Sequence, residues 1–302
     1  MSVAAEPIHT LADLAAWSFA GTALAVVGRP VAHSLSPLIQ NAALAHLALT
    51  QPTFRDWRYF KFDIAPEELP QALALFHRRN FRGLNLTVPH KALAVDHLVA
   101  SDAYVRAAGA ANTLSWAEAG WHGANTDCYG LSAALQQDLF VELRGADVIL
   151  LGAGGAARAA AVECLRQHCQ SLWIGNRTPA PRDALLGEMQ ALAGETALHG
   201  FNLSRPPAAL PAGALVINAT SLGLKPGDPA PLELGTIPKP RFAFDMIYRP
   251  PQTALLKRAT ELGIASANGL SMLVHQGVRS LELWTGAAVP AAVMQSAARA
   301  AA

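Results

Sequence analysis

The stretch Val148-Ile149-Leu150-Leu151-Gly152-Ala153-Gly154-Gly155-Ala156-Ala157-Arg158 decides the fold. Four aliphatic residues without a polar interruption read as a strand buried on both faces. They run directly into a glycine turn, and an alanine-rich helical pattern follows. Glycines in that place let the backbone approach a pyrophosphate, and the helix N-terminus adds unpaired N–H groups and partial positive charge. A glycine cluster alone equally makes a tight turn; the strand before it and the helix after it favour a nucleotide.

The next strand-like run, Ser171-Leu172-Trp173-Ile174-Gly175, ends at Asn176-Arg177-Thr178, about 24 residues beyond Gly152. An NAD site places Asp or Glu here, to accept a hydrogen bond from the ribose 2′-OH. A carboxylate repels a 2′-phosphate, whereas Arg177 can pair with one, Asn176 and Thr178 add neutral donors, and Arg182 is a candidate second cation. NADP is therefore favoured over NAD.

The same alternation covers most of the 302 residues. Strand-like runs stand at Leu24–Gly28, Arg58–Phe62, Gly83–Val88, Asp147–Leu151, Leu172–Gly175, Leu215–Asn218 and Phe242–Asp245. Helical patterns such as Pro37–Leu49, Pro66–Arg79 and Ala156–His168 lie between them. This is the pattern of parallel sheets with helices on both faces. Asn112–Trp116 and Trp121–Ala124 break it as a hairpin around Glu118-Ala119-Gly120. A boundary is expected after Asp127, with the helical run Tyr129–Leu139 leading into the second half. Met272–Trp284 and Ala291–Ala302 read as terminal helices, and His9–Trp17 as a short helix with Thr10 as its cap.

Composition narrows the function. Hydrophobic residues make up 52% and charged residues 15%, which excludes a disordered chain. Lys+Arg 23 against Asp+Glu 22 leaves no electrostatic footprint for a nucleic acid or an anionic membrane. Any anion must be held by a local pocket. Cys128, Cys164 and Cys169 have no paired spacing, so buried free thiols in a reducing compartment are expected, without a disulfide framework or a metal site. The opening MSVAAEPIHT has neither a basic nor a long apolar region, and no run reaches the roughly 20 apolar residues of a membrane span. A cytoplasmic protein is expected.

Polar clusters follow the strands of the first half, where open α/β sheets bind ligands. Ser34 and Ser36 follow Leu24–Gly28; two residues apart, they face one side of an extended loop and can bond a small polyol or carboxylate, while Ser36 also suits a helix cap before Pro37. Thr87 lies at the end of the run Gly83–Val88 and Lys91 just after it, both near the sheet's edge, and Asp127 ends the hairpin return. A lysine and an aspartate facing one cleft can exchange a proton with a carbonyl oxygen as it is reduced.

Nine motifs in order resemble the shikimate dehydrogenase family: GRPVAHSLSP (28–37), GLNLTVPHK (83–91), GAANTL (109–114), NTD (125–127), GAGGAARA (152–159), NRT (176–178), NATSLG (218–223), DMIYRP (245–250) and GLSMLVHQ (269–276). The resemblance implies an α/β enzyme of two domains. A substrate-binding and catalytic domain would span 1–128, completed by returning C-terminal helices at 270–302, with a Rossmann NADP-binding domain at 129–269. The implied activity is reversible NADPH-dependent reduction of 3-dehydroshikimate to shikimate, in chorismate and aromatic amino acid biosynthesis. By resemblance Lys91 and Asp127 are the catalytic pair, and Ser34, Ser36, Thr87, Asn112, Asp127, Tyr248 and Gln276 bind substrate. Gly152, Ala153, Gly154, Gly155 and Ala156 would hold the pyrophosphate, with Asn176, Arg177, Thr178 and Arg182 at the 2′-phosphate and Met246, Gly269 and Met272 along the nicotinamide. No metal is implied. The partner is the small-molecule substrate, with no nucleic acid or membrane, and a monomer or homodimer is expected. Gln40 replaces the family's usual His before Asn41, Leu224 a frequent methionine, and Arg182 lies five rather than four residues beyond Arg177. The alternatives are a dehydrogenase of dual quinate and shikimate specificity, and a non-catalytic metabolite sensor, against which the presence of Lys91 and Asp127 counts.

Overall fold

The computed structural model describes residues 6–301. The first five residues of the opening stretch, and Ala302 at the end of the last helical run, lie outside them. The described residues form two compact units, 6–126 with 276–301, and 127–275.

The first unit holds strands β1 (Ile8–His9), β2 (Thr22–Gly28), β3 (Trp57–Asp63), β4 (Gly83–Leu86), β5 (Leu98–Ser101), β6 (Thr113–Ala117) and β7 (Gly120–Ala124). They form one sheet in the order β1-β3-β2-β4-β6-β7-β5. The β1–β3, β3–β2 and β2–β4 pairs are parallel, and β4–β6 and the hairpin β6–β7 are antiparallel. Helices α1 (Leu11–Ala15), α2 (Ser36–Thr50), α3 (Leu69–Arg78), α4 (His90–Leu93) and α5 (Ala103–Ala108) connect the strands. One face of the sheet is an aromatic and aliphatic core around Phe60, Phe62, Phe76, Phe81 and Leu84. On β3 the opposite face carries Tyr59 and Lys61, because side chains alternate along a strand.

The second unit begins in the first turn of α6 (Thr126–Leu139). Its strands are β8 (Asp147–Leu151), β9 (Ser171–Asn176), β10 (Ala197–Asn202), β11 (Leu215–Asn218), β12 (Phe242–Asp245) and β13 (Ala265–Asn268), with helices α7 (Gly155–Arg166), α8 (Pro179–Met189) and α9 (Ala254–Glu261). All pairs are parallel, in the order β10-β9-β8-β11-β12-β13. Counted within the unit this is the 3-2-1-4-5-6 order of the doubly wound dinucleotide fold. The order reverses between β8 and β11, so the turn after Leu151 opens at the switch point. The chain closes with α10 (Leu270–Thr285), which enters the first unit at Gln276, and α11 (Ala291–Ala301), which packs on α2. No helix among the described residues is long and apolar enough to cross a membrane.

Two local expectations are corrected. His9 belongs to a strand, not to a helix: Ile8 and His9 pair with Lys61 and Phe62, and the helix starts only at Leu11. Thr10 does cap it, exchanging hydrogen bonds with Asp13 in a capping box. Ser36 does not cap α2 from outside; it is the helix's first residue, and no side chain caps that end. The N–H of Ser36 instead donates to Ser34 Oγ at 3.2 Å.

Candidate active site

In the first unit Asn112 and Gln276, two of the expected substrate residues, belong to a buried network of amides and hydroxyls. Asn112 is its centre. The backbone N–H of Thr126 donates to Asn112 Oδ1 at 2.7 Å, and a backbone N–H can only donate, so the orientation of the Asn112 amide is set. Its Nδ2 therefore points to Thr126 Oγ1 at 2.9 Å and to Gln276 Oε1 at 3.3 Å. Below it, Asn85 Nδ2 donates to the Asn112 carbonyl at 3.1 Å, to Thr113 Oγ1 at 3.1 Å and to Ser280 Oγ at 3.0 Å. Ser280 also lies 2.8 Å from Thr113 and 3.1 Å from Thr126. The only role open to the Gln276 carbonyl is acceptor, so the Ser280 proton goes there, at 2.9 Å. The Tyr59 hydroxyl closes the network on Asn85 Oδ1 at 2.8 Å. Burial raises the Tyr59 pKa well above its ordinary value of 10.0, opposed by a hydrogen bond from Ser36. A buried polar array survives only when its members satisfy one another, and this one does so across β3, β4, β6, α6 and α10.

The chemistry-bearing residues stand on this frame. Thr126 leads directly to Asp127, buried in the first turn of α6. Lys91 is half-buried on α4. Its carbonyl accepts from Ala111 at 2.8 Å, and its neighbour His90 is fully buried with Nε2 at 2.9 Å from the Ile64 carbonyl. Burial lowers the His90 pKa below its ordinary 6.5, so the ring is neutral and carries its proton on Nε2. Thr87 and Ser34 are half-buried, whereas Ser36 and Gln276 are buried.

In the second unit the turn after β8 has the form a dinucleotide needs. Gly152 adopts φ +115°, its N–H donates to the Gly175 carbonyl at 2.7 Å, and a Cβ there would stand 2.9 Å from the Ala219 carbonyl. At Gly154 and Gly155 the opposite holds: a Cβ would meet nothing within 4 Å. The backbone is open there, and Gly154 heads α7 with no side-chain cap, so first-turn N–H groups are available to a pyrophosphate. Ala153 is half-buried and Ala156 exposed beside them. At the end of β9, Asn176 Nδ2 holds the Thr178 carbonyl at 2.9 Å. Arg177 is exposed and makes no ion pair among the described residues. Thr178 heads α8 without a capping bond from its hydroxyl. Arg182 is already paired with Asp183 at 2.7 Å. These groups fit NADP: the turn leaves backbone N–H groups open, and Arg177 is an exposed cation without an ion pair among the described residues.

Met246 and Gly269 come together: a Cβ on Gly269 would fall 2.1 Å from the Met246 carbonyl, so only glycine permits this approach. Asp245, buried beneath them, accepts from Asn218 Nδ2, the Ile247 N–H and Thr253 Oγ1 at 3.0, 3.0 and 2.6 Å. Burial raises its pKa, and its three hydrogen bonds tie β11, the loop after β12 and the cap of α9 together. Tyr248 and Met272 are half-buried on the flanking loop and on α10.

A family model described as shikimate dehydrogenase substrate binding domain matches residues 26–114, and one described as shikimate 5′-dehydrogenase C-terminal domain matches 269–299. A curated relative from Thermosynechococcus vestitus, named shikimate dehydrogenase (NADP(+)), is 36% identical over 280 residues, covering 91% of this chain and 93% of its own. The chain belongs to the shikimate dehydrogenase family. Among solved structures of similar fold, the family's Thermus thermophilus enzyme in complex with NADP(H) and shikimate is 37% identical, with TM-score 0.80, covering 93% of this chain and 100% of that one. A ligand-free 5-ketofructose reductase of Gluconobacter sp. strain CHM43 is 32% identical with TM-score 0.80, covering 94% and 99%.

Sequence reasoning missed part of the frame. Asn85 and Thr126 lie inside two of the nine motifs, yet nothing in their spacing assigns them a role, and Ser280 and Tyr59 lie in none. A lone hydroxyl on a helix or strand carries no periodic signal; only the fold brings Ser280 to Asn85, 195 positions away.

Proposed function

We propose that the chain catalyses the reversible NADPH-dependent reduction of 3-dehydroshikimate to shikimate. The observation that carries this reading is the buried array around Asn112. It fixes the orientation of the Asn112 amide beside Thr126–Asp127, which supports a pocket for a small polyhydroxylated ring. The Asn176-Arg177-Thr178 corner supports NADP, because it presents a cation where an NAD site presents a carboxylate. When bound, NADPH supplies the hydride.

Lys91 stabilises the negative charge that grows on the carbonyl oxygen and donates the proton that completes the alcohol. Such a preplaced cation acts mostly at the transition state. Asp127 is its partner in proton transfer and accepts a hydrogen bond from a ring hydroxyl. Asn112, Gln276, Thr87, Ser34 and Ser36 orient the ring, with Tyr248 lining the same pocket. Gly152 to Ala156 bind the pyrophosphate, and Met246, Gly269 and Met272 flank the nicotinamide.

The test is initial-rate oxidation at alkaline pH of shikimate and quinate, each with NADP⁺ and NAD⁺, beside reduction of 5-ketofructose with NADPH. Turnover confined to shikimate with NADP⁺ is expected. Comparable turnover of quinate moves the enzyme to dual specificity, and reduction of 5-ketofructose alone overturns the substrate assignment.

A further inference from the structure

The reaction above leaves a buried carboxylate of the second unit unused. Glu163 is 1% exposed on α7, whose other buried side chains are alanines, Val162, Cys164 and Leu165. Ser132 of α6 donates to Glu163 Oε1, and Gln167 Nε2 donates to the same oxygen at 3.0 Å. One turn earlier on each helix a second contact repeats the pattern: the Cys128 thiol donates to the Ala159 carbonyl at 3.4 Å. Cys128 and Ser132 share one stripe of α6, and Ala159 and Glu163 one stripe of α7, because residues i and i+4 are neighbours on a helix surface. The paired positions rise together, so the two helices run parallel with their N-termini at the same end.

Each of those ends carries part of the proposed site. α6 opens with Thr126 and Asp127, and Cys128 is the next residue. α7 opens at Gly155, after the uncapped Gly154, in the turn that is open to a pyrophosphate. Gln137 and Asp138 tie the far end of α6 to Ser271 on α10, whereas the contacts at 128 and 132 govern the end that bears Asp127. An apolar side chain at position 163 would pack in this interior without the desolvation cost of a carboxylate. It would not set a register: Leu131 and Leu135 of α6 against the alanines of α7 leave two helices free to slide, and a buried polar pair fixes their relative height. Ordering of the first turn of α7 by a bound pyrophosphate then reaches the first turn of α6.

We propose that Glu163 is a positioning residue: through Ser132 it locks α6 to α7, and so couples occupation of the pyrophosphate turn to the placement of Asp127 for proton transfer. This deepens the function proposed above and rests on it.

The test compares the wild-type enzyme with Ser132→Ala, Glu163→Ala, Glu163→Gln and the double variant Ser132→Ala/Glu163→Ala. Each is read by steady-state kinetics with shikimate and NADP⁺, by the pH profile of kcat, and by hydrogen exchange of residues 126–132 with and without NADP⁺. Ser132→Ala and Glu163→Ala should each lower kcat about tenfold and displace the pH profile, with KM for both substrates within about threefold. The double variant should lose no more than the worse single one, because the two side chains make one contact. Gln keeps an acceptor for Ser132 without the charge, so Glu163→Gln should hold kcat within about twofold of wild type. NADP⁺ should slow exchange in 126–132 of the wild type and of Glu163→Gln, but not of the alanine variants. Alanine variants that melt lower yet keep the wild-type kcat and pH profile overturn the proposal, leaving Glu163 a packing contact. Losses that multiply in the double variant, or a Gln variant as slow as Ala, overturn it too. If the wild-type enzyme does not turn over shikimate, the function proposed above fails first and exchange alone decides: protection by NADP⁺ that is equal in all variants, or absent from the wild type, overturns the coupling.

Discussion

In the function proposed above, Lys91 and Arg177 each act through a charge placed at one atom. Lys91 is held by its backbone: its carbonyl is bound to Ala111, and His90 is pinned to Ile64. Truncating its side chain therefore removes the ammonium and little else. Lys91→Ala is expected to lower kcat about 10²–10³-fold while NADP affinity, read by fluorescence titration, changes only a few-fold. Near-normal kcat would show that the assigned role is wrong. Arg177, exposed and without an ion pair, faces the opposite test. Arg177→Asp should cut kcat/KM with NADP⁺ at least about 30-fold, the cost of losing a phosphate-paired charge, and leave the residual rate with NAD⁺ intact. Equal loss with both cofactors would make Arg177 structural.

At the level of elements, an indole helps to dock α10 on the first sheet, beside the Ser280 hydrogen bonds. Trp284, 2% exposed, donates through Nε1 to the Leu114 carbonyl at 3.0 Å and lies flat over Gly83. A Cβ at Gly83 would stand 2.2 Å from that Nε1. Gly83→Ala should destabilise the protein by about 1–3 kcal/mol through overpacking, read as a lower melting temperature. Combining it with Trp284→Phe should cost less than the sum of the two losses if the contact is the cause; strict additivity would mean the two positions do not touch. The glycine that opens the motif 83–91 is thus there for helix docking, and the chemistry of that motif begins at Asn85.

For the whole molecule, two imidazoles, buried His90 and half-buried His275, make folding sensitive to acid. His90 and His275 both have pKa values lowered by burial. The unfolded chain then binds more protons than the folded one below their ordinary value of 6.5. Their neutral forms support the fold fully above that value, and the support is lost as pH falls through it towards the folded-state pKa. Thermal melts from pH 8 to pH 5 should show Tm falling over the lower part of that range. In His90→Gln, whose amide can keep the bond to Ile64, the fall should be shallower; an unchanged slope would clear His90 of the effect.

Legibility followed burial. Every interior strand of both sheets was readable: those such as Leu215–Asn218 and Phe242–Asp245 because a strand covered on both faces must be a short apolar run, and the half-exposed β6 and β7 because a short turn joins them as a hairpin. The strands that were not read, β1, β5, β10 and β13, are the four sheet edges. Edges are half-exposed and take polar and small residues, as in Ala265-Ser266-Ala267-Asn268, so no pattern marks them. The glycine turn was equally legible, and Arg177, Lys91 and Asp127 were marked as candidates because each sits next to a strand or turn. What only the tertiary structure decided is which distant polar groups meet. The hydroxyl of Ser280 on Asn85, that of Ser132 on Glu163, and the indole of Trp284 on Gly83 are contacts between residues remote or unmarked in sequence. Hydrogen bonds and close packing are satisfied in space, and a chain's order does not record its neighbours in space.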